Sequence, residues 1–191
     1  MYGRQEADLA AAPLIVTSMR ERVIEYTKPF MGNYLAAIMK ASHATQFEIR
    51  SVSDLARQST VKYGVVESES TKMFFQISVI PEYELMWGEM SANSDSMVQT
   101  YEQGVERVLA STDQQPFAFI GTSSMLTYIA SQRCDIQVVM GEYYSLPYSL
   151  AMPLGSPYRD NLTLGILEMY EAGEISQLRQ KWWRPQIQCG N

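Results

Sequence analysis

The sequence predicts an α/β fold with at least partly parallel sheets. Three observations carry that expectation. Apolar runs of strand length, such as residues 61–66 and 117–120, alternate with segments of helical spacing. Two of these runs pass directly into hydroxyl-rich turns that open helices. No repeat or low-complexity tract interrupts the alternation.

In chain order, residues 8–16 go from small to apolar and read as a short buried strand, ended by Thr17 and Ser18. Ser18 is placed to cap a helix over residues 19–24, and Pro29 closes that segment. Residues 32–46 are poorly patterned: 35–39 suggest a short helix and 40–43 a loop, so this stretch is the candidate junction. Residues 53–58 read as a short capped helix, and residues 61–66 alternate as a strand. Residues 67–71 then turn into an amphipathic helix carrying Met73, Phe74, Phe75 and Ile77. Helices over 82–90 and 101–109 follow, the first with Leu85, Met86 and Met90 on one face.

Residues 117–120 are a buried strand that enters Thr122, Ser123 and Ser124 and a helix over 125–132. Residues 136–139 and 148–152 are further short strands. Ser156 and Pro157 signal a helix start, Leu162, Ile166, Leu167 and Tyr170 its apolar face, and Gly173 its stop. Ile175, Leu178 and Trp182 mark a last helix, ended by Pro185.

A chain of 191 residues can bury one sizeable core or two small lobes. With 46% hydrophobic and 19% charged residues it reads as globular. A net charge of -6 leaves no basic stripe to meet phosphates, which argues against nucleic acid and against an anionic membrane surface. No apolar run approaches the ~20 residues of a spanning helix. Residues 1–6 lack the order of a signal peptide, so the chain as written is expected to be soluble. Cys134 and Cys189 read either as two free thiols or as a bridge. A bridge closing so long a loop would contribute roughly 4 kcal/mol.

The turn at residues 67–71 is the strongest site candidate, because free amides at a helix start, with hydroxyls beside them, bind anions. Ser70 and Thr71 would equally serve as caps of their own helix. Arg20, near another helix start, suits a bidentate grip on a carboxylate, or a solvated pair with Glu21 or Glu25. Thr122, Ser123 and Ser124 form a second such turn. His43 is the single histidine and reads as a surface-loop residue. With it alone no Ser/His/Asp set, metal-ligand spacing or phosphate loop is built, so neither catalysis, metal nor cofactor is expected. Trp182 and Trp183 read as a packed core pair.

Several motifs resemble ionotropic glutamate receptors of the AMPA/kainate type. Residues 12–31, from Ala12-Pro13-Leu14 through Arg20-Glu21 to Lys28-Pro29-Phe30-Met31, resemble the family's first ligand-binding segment. Tyr63-Gly64, Ser70-Thr71-Lys72, Phe74-Phe75 and Met86-Trp87 resemble the second. Gly155-Ser156-Pro157-Tyr158-Arg159-Asp160 and Lys181-Trp182-Trp183 resemble its end. The resemblance implies a two-lobed clamshell like that of periplasmic binding proteins, which closes on glutamate or a related amino acid and opens a cation channel in the parent. Here the first lobe is expected to be incomplete.

By the same resemblance, residues 1–31 are partial lobe 1 and 32–47 a junction in place of the membrane domain. Residues 48–145 are lobe 2, and 146–191 return to lobe 1. Arg20 matches the arginine on the ligand α-carboxylate, Pro13 the carbonyl for its ammonium, and Ser70 and Thr71 the helix-start pair for its carboxylates. Tyr148 joins the ligand-binding set. Cys134 and Cys189 match the family's disulfide. Ile15 departs where a hydroxyl or alanine usually stands, and Thr122 where the family has an acid for the ammonium, so glutamate binding is expected to be weak or the ligand different. The parent is expected to be a tetramer with other subunits at the plasma membrane, this region extracellular. A divergent chemosensory receptor and a stand-alone solute-binding protein are the alternatives.

Overall fold

A computed structural model describes residues 7–184, with backbone alone for residues 142–144. The described chain divides into two compact units, residues 7–33 with 145–184, and residues 34–144.

In the first unit, β1 (Ala10–Ile15) and β2 (Ile24–Tyr26) flank β8 (Tyr148–Pro153), both antiparallel to it. The β1 register pairs Ile15 with Tyr148 and Leu14 with Ser149, slips, and resumes at Ala10 with Ala151. Pro13 falls in the slipped part, where its missing N–H costs no ladder bond. Helix α1 (Ser18–Glu21) is a single turn, capped by Thr17 rather than Ser18: the Thr17 Oγ1 accepts from the Arg20 amide at 3.3 Å. The helix expected over 19–24 ends early because β-branched Ile24 goes into the sheet and is buried there.

Helices α8 (Arg159–Glu171) and α9 (Glu174–Trp182) are separated by Gly173, whose φ of 76° needs a residue without Cβ. The first starts later than Ser156 and Pro157 predict, since the Ser156 hydroxyl accepts from the Tyr158 amide in the turn before it. Of the expected apolar face Ile166 is buried, while Leu167 and Tyr170 are exposed. Trp182 is 55% exposed with Lys181 Nζ 5.2 Å from its ring, so the expected buried aromatic pair is not formed.

The second unit is built on a five-stranded sheet in the order β5-β4-β6-β3-β7. Its strands are β3 (Tyr34–Lys40), β4 (Lys62–Val66), β5 (Met97–Val98), β6 (Phe117–Thr122) and β7 (Ile136–Ser145). β4 is parallel to β5 and β6, and β3 is antiparallel to β6. Six helices accompany the sheet: α2 (Ala41–Gln46), α3 (Val52–Ala56), α4 (Ser70–Ile77), α5 (Pro81–Ala92), α6 (Tyr101–Ala110) and α7 (Ser123–Ala130).

Residues 35–39 are a strand, not the expected short helix. Leu35, Ala36, Ala37, Ile38 and Met39 are all fully buried. Ala36 and Ile38 face a core shared with Phe117, Phe119, Val108 and Leu126, under α6 and α7. Alternation sends Leu35, Ala37 and Met39 to the opposite face, and α2 and α3 also contact this strand. A strand covered on both faces loses its period-two signature, and alanines then imitate a helix. Burying each Ile or Phe here contributes about 1.5–3 kcal/mol.

His43 is likewise not a surface residue. It is 2% exposed in α2, with Nε2 3.1 Å from the Asp113 carboxylate, Nδ1 3.4 Å from Ser111 Oγ, and its ring edge-on to Phe47. Ser111 Oγ donates to the Val108 carbonyl at 2.6 Å, so this trio closes the end of α6 rather than arming a nucleophile.

Candidate ligand-binding site

Because β5, β4 and β6 are parallel neighbours, their carboxyl ends share one edge of the sheet. Each leads into a helix there: β5 into α6, β4 into α4, and β6 directly into α7. Three helix N-termini thus sit beyond three adjacent strand ends, where open α/β sheets bind ligands.

At α4 the cap position is Glu69, in extended geometry and without a side-chain capping bond. Its carbonyl accepts from the Met73 amide at 3.4 Å. Ser70, Thr71 and Lys72 therefore precede the first intrahelical bond, and their amides have no acceptor within the helix. Ser70 and Thr71 lie inside the helix, so neither is its cap. Thr71 is 1% exposed, and its Oγ1 has no hydrogen-bond partner among the described residues.

Charged groups frame these amides. Glu67 accepts from Gln99 at 3.0 Å and lies 3.6 Å from Lys72 Nζ; the Gln99 bond first, then Lys72, holds its carboxyl below the usual range. Glu69 accepts from the Tyr101 hydroxyl at 3.2 Å. Burial pushes the Glu69 carboxyl up, with the Tyr101 bond acting against it. Tyr101 also stands edge-on to Phe119 at 5.3 Å, and a Cβ on Gly121 would meet its hydroxyl at 3.0 Å. Sequence reading placed Glu69 in the candidate turn without giving it a role; it missed Tyr101 as its partner, and β5, because a two-residue strand carries no period.

Thr122 closes β6 as the cap residue of α7, 2% exposed and without a side-chain capping bond. Ser123 Oγ accepts from the Tyr34 amide at 3.0 Å, which ties α7 to β3. Ser70, Thr71 and Thr122 thus fall on one edge of one sheet.

Pro13, Ile15, Arg20 and Tyr148 belong to the other unit. Arg20 is half-buried, and its guanidinium donates to the Ile15 carbonyl at 2.9 Å, which Tyr26 Oη also approaches at 3.3 Å. The Ile15 side chain is buried and Pro13 exposed. Tyr148 is 9% exposed; its amide donates to the Met31 carbonyl and its ring lies 6.5 Å from that of Phe30. Cys134 carries no free thiol, while Cys189 lies outside the described residues.

No group of three or more potential metal ligands occurs among the described residues. None of their helices is long and apolar enough to cross a membrane. A cavity of about 540 Å³ opens at the amino ends of β4 and β6, beside Lys62, Arg107 and Phe117. It offers no helix start and no buried unpartnered polar atom, so the chemistry favours the opposite edge.

Comparison with known proteins gives three findings. A family model described as the ligated ion channel L-glutamate- and glycine-binding site matches residues 2–43, a span that runs through β3. The kainate 1 ionotropic glutamate receptor of Rattus norvegicus is 38% identical over 137 residues, 71% of this chain and 14% of that protein. Its Homo sapiens counterpart is 37% identical over the same length. The chain therefore spans about one seventh of these relatives, which are receptors rather than enzymes. Among solved structures, the Drosophila muscle GluRIIB complex with glutamate matches with a TM-score of 0.82 at 28% identity, covering 94% of this chain and 69% of that one.

Proposed function

We infer function from family: this chain belongs to the ionotropic glutamate receptors, within their ligand-binding region, and we propose that it recognises glutamate or a related amino acid without catalysis. The observation that carries this reading is the start of α4. There a buried, unpartnered Thr71 hydroxyl stands beside amides that the helix leaves without acceptors. A carboxylate satisfies both, and the positive end of the helix favours it. A buried hydroxyl without a partner costs free energy in the empty protein, and a ligand oxygen removes that cost.

Arg20, in the other unit, offers a second group suited to a carboxylate. Its guanidinium, steadied by the Ile15 carbonyl, suits the planar α-carboxylate. In ionotropic glutamate receptors closure on a ligand is favoured by as much as the closed form binds it better. In the parent, at the plasma membrane and assembled as a tetramer, that closure drives a cation channel. A bridge between Cys134 and Cys189 fits an extracellular setting.

Ile15 and Thr122 favour a second reading, a divergent chemosensory receptor with another amino-acid-type ligand. Thermal shift and calorimetry with glutamate test the first. Glutamate should raise the melting temperature of the chain, and Arg20→Ala should abolish the rise. Arg20→Lys, which keeps the charge and loses the fork, should weaken it. An unchanged rise in Arg20→Ala would remove Arg20 from this role, and saturable binding of other amino acids without glutamate would favour the second reading.

A further inference from the structure

We propose that Glu69 supplies the counter-charge for the ammonium group of an amino-acid ligand, so that the start of α4 selects zwitterions over simple anions. This rests on the amino-acid-binding role proposed above.

A bare helix N-terminus accepts any small anion. Here the cap residue itself is acidic, immediately before the first turn that a ligand carboxylate would approach. A second carboxylate so close repels a pure anion. It suits a ligand that brings its own positive charge alongside its negative one, which is the definition of an α-amino acid at neutral pH.

The two acidic side chains of the turn are not equivalent. Glu67 is exposed and already faces Lys72 and Gln99. Glu69 is half-buried and has no cation within ion-pair distance among the described residues; Tyr101 is its hydrogen-bond donor. A carboxylate partly removed from water and given one neutral donor retains acceptor capacity, since each oxygen takes two bonds.

Its place is also fixed. The Tyr101 hydroxyl that donates to Glu69 lies against Gly121, the residue before Thr122. Through that hydroxyl the Glu69 carboxylate is held over the end of β6. A ligand seated on the Thr71 hydroxyl and the α4 amides therefore has an anion on its flank, although position 122 is neutral. The buried, unpartnered Thr71 Oγ1 marks where the ligand's oxygen goes, and Glu69 where its nitrogen goes.

Calorimetric titration of the chain with glutamate and with glutarate, the same dicarboxylate without the ammonium, tests this. The wild type should bind glutamate roughly tenfold or more tighter than glutarate, the scale of one hydrogen bond to a charged group. Glu69→Gln should bring that ratio close to one by weakening glutamate. Glu69→Asp, which keeps the charge at shorter reach, should give an intermediate ratio and guards against misfolding of the first variant. If Glu69→Gln keeps the full preference for glutamate, the role of Glu69 is overturned while the amino-acid site stands. If the wild type binds neither compound, the amino-acid site itself fails, and this assignment with it.

Discussion

Replacing Thr71 by valine should raise stability and lower affinity together. The side chain is 1% exposed, and its hydroxyl oxygen finds no partner among the described residues. A buried polar group left unsatisfied costs about 1–3 kcal/mol. Valine keeps the branched shape and exchanges that hydroxyl for a methyl, so the empty protein should gain on the order of 1–2 kcal/mol. For a chain of this size each kcal/mol moves the melting temperature by about 2–4 °C. In the complex the sign reverses. The lost bond to a charged ligand oxygen is worth about 1.5–3 kcal/mol, or roughly tenfold or more in Kd.

Denaturation followed through Trp87, which lies in α5 of the same unit, reads the first effect. Calorimetry with glutamate reads the second. A hydroxyl with a purely structural partner would make Thr71→Val destabilising. A stabilised variant that binds glutamate as tightly as the parent would mean that the hydroxyl faces no ligand. Either result refutes the assignment of this residue.

Two further outcomes are expected. Gly104→Ala gains about 1 kcal/mol in helix propensity, but its Cβ would lie 2.6 Å from the buried Phe119 ring, and overpacking costs about 1–3 kcal/mol; denaturant titration should show net loss, and a gain would mean α6 can retreat from β6. For Glu69, burial keeps the folded group protonated to higher pH than the unfolded one, against the opposing bond from Tyr101. The folded state then binds more protons across that interval, so stability should fall as pH rises from the ordinary carboxylate range through the raised value. Stability measured against pH should show this slope flattened in Glu69→Gln, and an unchanged slope would assign it elsewhere.

What was legible in the sequence was local. The strand at 61–66, the hydroxyl turn after it and the helix that follows are written in neighbouring residues, so the candidate turn could be found without coordinates. What was not legible depends on distant partners or on burial from both sides. Residues 35–39 looked helical because both faces of β3 are covered. His43 looked like a loop residue because its partners Ser111 and Asp113 lie 68 and 70 positions away. The bond from Tyr101 to Glu69 spans 32 positions and leaves no trace in either neighbourhood. The motifs identified the family and pointed to Thr122 as a loss of the ammonium's acid, but they assigned no other residue to that charge.

That loss has a physical logic. In the proposed site, anion recognition falls to backbone amides and the direction of helices, which the parallel order β5-β4-β6 fixes irrespective of side chains. Cation recognition needs a carboxylate, and a carboxylate can come from any residue that reaches the same place. The end of β6 and the cap of α4 are such a pair, since the Tyr101 hydroxyl touches both neighbourhoods. The acid is thus free to move between strand ends while the amides stay put. Reversal is the sharpest consequence. In Glu69→Gln, adding Thr122→Glu should restore the preference for glutamate over glutarate, whereas Thr122→Glu alone should place two like charges around one ammonium and gain less. If the double variant stays as indifferent as Glu69→Gln, positions 69 and 122 do not serve the same ligand atom.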